Sequence, residues 1–372
     1  MIYLDYAAST PVDPDVLDNF INVTKEEYAN PNSNHELGIK AKKEIDNATL
    51  DIAKLLNVSS DEIIYTSGAT ESNNLAIIGT ALRYKNIGKH ILISSLEHNS
   101  IISSCTYLQE QGFDIDLIPI NKNGLVDIDI LKSMIREDTI LVSICSVDSE
   151  IGLVQPVEEI GKFLKNYDNI VFHTDASQAI GKVNIDYTNC DLITIAPHKF
   201  YGMNGISILV KKSNVSLKPL ILGGKSTTVY RSGTPALSLI VSLSKALRLI
   251  YTDFDKKYDH IKELNEYLKK GLEKYPNVFI NSNEYSIPHI LNLSVIGVKP
   301  ETMLHALEEY DIFISTQSAC SSSNTESKAV FNLTHDKERA RSSVRVSISC
   351  ITTKEEIDYF LESFDKCYKR LV

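Results

Sequence analysis

The chain has 372 residues, 43% hydrophobic and 23% charged, enough to bury one large core and a smaller second one, and the composition excludes wholesale disorder. With 48 acidic against 38 basic side chains the net charge is −10, so no direct nucleic-acid binding is expected. No run approaches the ~20 apolar residues of a membrane helix, and the start Met1-Ile2-Tyr3-Leu4-Asp5-Tyr6 has no secretory pattern. The six cysteines (105, 145, 190, 320, 350 and 367) form no C-x-x-C pair. The expectation is a soluble cytoplasmic protein with reduced thiols, no disulfide scaffold and no metal site.

Taken in chain order, short runs at residues 63–66, 90–95, 115–120, 140–147, 170–174, 192–196 and 206–210 are β-branched and apolar on both parities. That is the pattern of strands covered on both faces. Helix-length segments at 72–84, 101–111 and 157–165 separate several of them, so the spacing predicts an α/β fold around a mostly parallel sheet. Residues 235–274 read as helix with little interruption, apolar over 237–250 and amphipathic over 253–274. Beyond lie a strand at 290–295, a helix at 301–309, a strand at 343–348 and an amphipathic helix at 354–368, capped by Thr352 or Thr353. The expected organisation is a large domain over 15–250 and a small α+β domain built from 1–14 and 251–372.

Three segments carry chemistry. Ser67-Gly68-Ala69-Thr70-Glu71-Ser72-Asn73-Asn74 follows a strand and opens a helix, where unpaired N–H groups at the positive end of a dipole suit a phosphate. The same residues also read as an ordinary N-cap, with Thr70 or Ser67 capping. His173-Thr174-Asp175-Ala176-Ser177-Gln178 lies at the carboxyl end of a strand, the edge where open α/β sheets bind ligands. Asp175 there suits a protonated pyridine nitrogen, or alternatively a helix N-cap. Ala196-Pro197-His198-Lys199-Phe200-Tyr201-Gly202 follows another apolar strand. Partial desolvation would favour a Schiff base between Lys199 and an aldehyde, although most lysines are simply solvated. Phosphate site, ring-pairing carboxylate and strand-end lysine together point to pyridoxal 5′-phosphate.

Over essentially its full length the chain resembles the cysteine desulfurases of the aminotransferase class V family. The resemblance rests on Leu4-Asp5-Tyr6-Ala7-Ala8-Ser9-Thr10-Pro11, on Asn30-Pro31-Asn32-Ser33-Asn34-His35-Glu36-Leu37-Gly38, and on the T-S-G-A-T-E-S run from Thr66. It continues through Glu97-His98, Glu150-Ile151-Gly152, the H-x-D-A-x-Q run from His173, His198-Lys199 and Arg231-Ser232-Gly233-Thr234. Ser318-Ala319-Cys320-Ser321 and Ser343-Val344-Arg345-Val346-Ser347 complete the series. It implies the fold type I architecture of pyridoxal-phosphate enzymes and a homodimer in which Thr234 reaches the partner subunit's cofactor phosphate. Ala69 and Thr70 would bind the phosphate with His198 close by, Gln178 the phenolic oxygen, and Asp175 the ring nitrogen. His98 would stack on the ring and shuttle a proton, and Asn34 and Arg345 would bind substrate.

The resemblance further implies conversion of L-cysteine to L-alanine, with Lys199 moving the Cα proton and Cys320 taking the sulfur as a persulfide. The polar, small-residue segment 316–326 reads as a loop carrying that thiol, while the other five cysteines read as structural. The sulfur would pass to an acceptor protein, either an iron–sulfur scaffold or a tRNA-thiolation enzyme. Two other readings are a pyridoxal-phosphate lyase or aminotransferase acting on another amino acid, such as selenocysteine, and a weakly active scaffold homologue. The chain departs from the family at Val147-Asp148-Ser149-Glu150 in place of V-N-N-E, and at Ala196 in place of a serine. It departs also at Gly223-Gly224-Lys225-Ser226-Thr227-Thr228, which lacks the usual acid and arginine, and at Ser349-Cys350 in place of Gly-Arg.

Overall fold

The computed structural model describes residues 1–316 and 326–372. The chain enters through strand β1 (Ile2–Tyr3) and helices α1 (Pro14–Glu26) and α2 (Glu36–Leu56). The Asp13 carboxylate caps α1, and Pro14 opens it where no N–H is needed. A seven-stranded sheet follows, built from β2 (Ile63–Thr66), β3 (His90–Ser94), β4 (Asp114–Ile118), β5 (Thr139–Ser143), β6 (Val171–Asp175), β7 (Leu192–Ile195) and β8 (Ser207–Lys211). Between and after these strands lie α3 (Ala69–Tyr84), α4 (Asn99–Glu110), α5 (Ile128–Met134), α6 (Val157–Leu164) and α7 (Leu237–Tyr251).

The strands stand in the order β2-β8-β7-β6-β5-β3-β4. Those from β7 to β4 pair in parallel, as the alternation predicts. β8 runs antiparallel to both β7 and β2, and its connection explains why. Residues 196–206 hold only the one-turn helix Pro197–Lys199, too short for a parallel crossover of a dozen or more residues. Successive strand residues enter different cores: Leu92, Val142, Phe172 and Ile193 pack with α1, α2, α6 and α7. Ile91, Leu141, Val171 and Leu192 pack with α3 and α4 on the opposite face.

The helix expected over 235–274 is two helices, α7 and α8 (Phe254–Leu272). Asp253 between them takes a left-handed φ of 52°, which a continuous helix cannot contain. A three-stranded antiparallel sheet follows, from β9 (Val278–Ile280), β10 (Ile290–Val295) and, after α9 (Pro300–Glu308) and β11 (Ile312–Phe313), β12 (Ser343–Ser347). Short helices α10 (Lys328–Thr334) and α11 (Lys337–Arg341) precede β12, and α12 (Lys354–Leu371) closes the chain. Of the two threonines proposed as its cap, Thr353 serves, in a reciprocal capping box with Glu356.

The S-V-R-V-S alternation of β12 sends Val344 and Val346 into a core shared with Leu291, Leu293, Leu264, Leu268, Phe360 and Phe364. Arg345 therefore faces the other way. Residues 1–14 straddle the cores, because Ile2 and Leu4 join this smaller one while Ala7 packs in the larger. Phe360 is fully buried in the smaller core. Phe360→Ala should cost about 3–5 kcal/mol of stability, read by denaturant unfolding.

Candidate active site

The carboxyl ends of β2, β3, β5, β6 and β7 share one sheet edge, where an open α/β sheet holds its ligand. Asp175 is the last residue of β6 and is buried. Its Oδ1 accepts from the Ser177 N–H at 2.9 Å and its Oδ2 from Asn73 Nδ2 at 2.8 Å. The turn that follows is not a helix, so the N-cap alternative for Asp175 does not apply. Asn73 Nδ2 also donates to Ser100 Oγ at 2.9 Å, and that oxygen lies 2.8 Å from His98 Nδ1. His98 caps α4, its Nδ1 accepting from the Ser100 N–H at 3.1 Å, which places the proton of the neutral ring on Nε2. Burial holds the His98 pKa below its ordinary value; Asp175 opposes this and Lys199 adds to it.

At the neighbouring strand end, α3 begins with Gly68 as N-cap and no side chain capping it, against the expectation that Thr70 or Ser67 would cap. Glu71 accounts for Ser67 instead: its Oε2 accepts from the Ser67 N–H at 2.7 Å and Oγ at 2.6 Å. Glu71 Oε1 accepts from Arg231 Nε at 2.9 Å, tying the Arg231–Thr234 segment to this turn. The first turn of α3, with Ala69 and Thr70, is thus left open to an anion.

Lys199 ends the turn between β7 and β8, and its Nζ donates to the carbonyls of Ala7 and Ala8, both at 2.7 Å. Thr10 fixes that turn by donating from N and Oγ1 to the His198 carbonyl, at 2.9 and 3.1 Å. Thr10 Oγ1 also accepts from the Tyr201 N–H at 2.6 Å. Tyr201 holds a left-handed φ of 65°, a strained backbone that persists because its neighbours over-determine it. Burial, reinforced by Lys199 and Lys182, lowers the His198 pKa to about 4. Gln178 Nε2 donates to the Ala7 carbonyl at 2.8 Å.

Arg345 is 1% exposed. It donates to the Ser149 carbonyl at 2.7 Å and to Asp5 Oδ1 at 2.8 Å, and its Nε is buried without a partner among the described residues. These groups surround a cavity of about 310 Å³, whose lining includes Ala69, Thr70, His98, Asp175, Gln178, His198, Lys199 and Arg345. Cys145, read from sequence as structural, also lines it, with burial raising the thiol pKa and the nearby Glu97, Asp148 and Asp175 adding to the rise. Thr234 is exposed and outside this cavity, and Asn34 borders a separate open groove with residues 225–230. Cys320 lies outside the described residues.

Sequence reasoning missed Asn73, Ser100, Asp5 and Thr10 as members of the site. Asp5, Thr10 and Asn73 sit inside or beside the motifs quoted above, but their partners lie too far along the chain for local pattern to show. The cavity fits pyridoxal phosphate on its own chemistry: an uncapped helix N-terminus for the phosphate and a buried carboxylate for the ring nitrogen. A lysine amine stands at the same edge, and the buried Ser177 Oγ and Arg345 Nε await partners.

An aminotransferase class-V family model matches residues 2–360. The chain belongs to that family, and its fold is that of a pyridoxal-phosphate enzyme of fold type I. Among its relatives, the cysteine desulfurase IscS of Dictyoglomus turgidum is 38% identical over 375 residues, covering 100% of this chain and 95% of that protein. A NifS-like protein of known structure matches with a TM-score of 0.94 at 31% identity, covering 100% of both chains. SspA in complex with cysteine matches with a TM-score of 0.84 at 32% identity, over 95% of this chain and 100% of that one.

Two outcomes follow from this geometry. Thr10→Val keeps the side-chain shape but leaves the Tyr201 N–H without its acceptor, so it should cost about 1–3 kcal/mol in denaturant unfolding. Burial raises the Glu97 pKa from 4.5 to about 8, opposed by bonds from Ser94 and Cys145 and assisted by Asp175 and Asp148. Because the folded pKa is the higher, the stability from keeping that proton is full below about 4.5 and is lost as pH rises through about 8. Between pH 5 and 8 the wild type should lose about 1.4 kcal/mol per pH unit more than Glu97→Gln, measured as unfolding free energy against pH.

Proposed function

We infer that this protein is a pyridoxal-phosphate-dependent cysteine desulfurase that converts L-cysteine to L-alanine and leaves the sulfur on Cys320. The observation that carries this is the convergence of Asp175, Lys199, the open N-terminus of α3 and Arg345 on one cavity, in a chain of the class V family. When bound, pyridoxal phosphate supplies a protonated ring that takes up the electrons left at the substrate Cα.

The chain's own groups do the rest. Asp175, held as an acceptor by Asn73 and Ser177, keeps a proton on the ring nitrogen. Gln178 would donate to the phenolic oxygen, the first turn of α3 with His198 beside it would hold the phosphate, and Lys199 would remove the Cα proton. Arg345 binds the substrate carboxylate through N–H groups not used on Asp5 and Ser149, a fork geometry that a lysine cannot copy. His98, a neutral imidazole with its proton on Nε2, would face the ring and would pass that proton. The Cys320 thiolate then forms a bond to the substrate sulfur as the Cβ–S bond breaks. Those electrons return to the carbon skeleton, which takes up one proton at Cβ and regains one at Cα to become alanine.

The same reading includes a homodimer. Ile39, Leu50 and Val229 are 60%, 58% and 60% exposed around the groove that Asn34 and residues 225–230 share. An apolar rim of that kind suits burial against a second copy, with Thr234 completing the partner's phosphate site and Asn34 the substrate site. Domains over 15–250 and over 1–14 with 251–372, a reducing cytoplasmic location, and delivery of sulfur to an iron–sulfur scaffold or tRNA-thiolation enzyme complete the proposal.

The test is mass measurement of the Cys320 peptide after incubation with pyridoxal phosphate and L-cysteine. The wild type should gain one sulfur and release alanine, while Cys320→Ala should transfer no sulfur; undiminished transfer by that variant would overturn the assignment. Arg345→Lys should lower kcat/KM for cysteine by about 10- to 100-fold, ~1.4–2.7 kcal/mol of lost carboxylate binding.

A further inference from the structure

Four residues beyond Gln178, the chain buries a second lysine that none of this chemistry uses. Gly181, at φ 73°, turns the backbone tightly against α7, where an added Cβ would collide with Ile250 Cγ1. That turn brings Lys182 back over Gln178, and Lys182 Nζ donates to Gln178 Oε1 at 2.5 Å. Lys182 is 7% exposed. It lines a cavity of about 30 Å³ on the far side of Lys199, together with Tyr6, Tyr201, Lys257 and His289, and among the described residues no Asp or Glu lines it. Its amine is driven well below the ordinary lysine pKa by burial, then by Lys199 and Arg345.

A buried amine with no carboxylate beside it is costly, and a methionine would fill nearly the same volume at no such cost. What the amine adds is its bond to the Gln178 amide. Gln178 is thereby held from two sides, with Oε1 accepting from Lys182 and one Nε2 N–H donating to the Ala7 carbonyl, which can only accept. The second Nε2 N–H is left for the active-site cavity that Gln178 also lines. We propose that Lys182 is a positioning residue that fixes the Gln178 amide so that its free N–H points at the cofactor's phenolic oxygen. This rests on the reading of Gln178 given above.

A hydrogen bond donated to that oxygen stabilises its anion, and so favours loss of the proton from the Lys199-linked nitrogen. The pKa of the Lys199-linked cofactor, read from its visible absorption between pH 6 and 10, reports the bond without any turnover. In the pyridoxal-phosphate-loaded protein, Gln178→Met should raise this pKa by about 0.5–1, the worth of one neutral hydrogen bond. Lys182→Met should raise it in the same direction, and the double variant should go no further than Gln178→Met alone.

An unchanged value in Gln178→Met would overturn the role given to Gln178. A shift in Gln178→Met with none in Lys182→Met would overturn the Lys182 inference alone. Additive shifts in the double variant would overturn it too, because Lys182 would then be acting on the cofactor directly. If Lys182→Met fails to fold, Lys182→Leu takes its place with the same expected shift.

Discussion

Ten residues near the amino terminus hold the two cores and the site in one arrangement. The Leu4 carbonyl accepts from the Ser347 N–H at 2.7 Å, and the Leu4 N–H donates to Phe313 at 2.8 Å, so this end belongs to the smaller core. Asp5 then pairs with Arg345, the Ala7 and Ala8 carbonyls take the Lys199 amine, and Thr10 clamps the carbonyl of His198 and the N–H of Tyr201. Position of the lysine, position of the arginine and packing of the cores are therefore one problem with one solution. The strain at Tyr201 is tolerated because so many bonds converge around it.

Burial sorts the charges around this frame. His173, between Ser143 and Thr194 hydroxyls, has its pKa lowered by burial to about 4, and His98, His198 and Lys182 are pushed the same way. Glu97 and Asp148 are pushed upward, to about 8 and about 7, again chiefly by burial. Proton-free bases and proton-holding acids leave little stray charge near Asp175, which accepts from Asn73 and Ser177.

Much of this was legible in the sequence because it is written in short periods. Two-faced apolar runs gave the sheet, the S-V-R-V-S alternation separated Arg345 from the core, and Thr353 with Glu356 marked the last helix. The reversal of β8 was not legible, since it depends on the length of a connection and not on the strand's composition. The break at Asp253 escaped because the apolar and amphipathic stretches on either side both suit helix. Asn73, Ser100 and Lys182 escaped because their roles exist only through partners brought close by folding. The departures at residues 148–149 and 225–228 also look different in three dimensions. Ser149 contributes its backbone carbonyl to Arg345, which no side-chain change removes, and residues 225–228 line the outer groove instead of the cavity.

The bond from Arg345 to Asp5 spans 340 positions and that from Ser347 to Leu4 spans 343. During synthesis, Asp5 and Leu4 therefore wait until β12 has emerged before they meet Arg345 and Ser347. The seven strands of the large sheet and their helices can pair well before that moment, and the Lys199 turn can already meet Ala7, Ala8 and Thr10. A nascent chain that has not reached β12 would thus carry Lys199 in its turn without Arg345 paired to Asp5. Biosynthesis itself orders the assembly of the site, the lysine first and the arginine later.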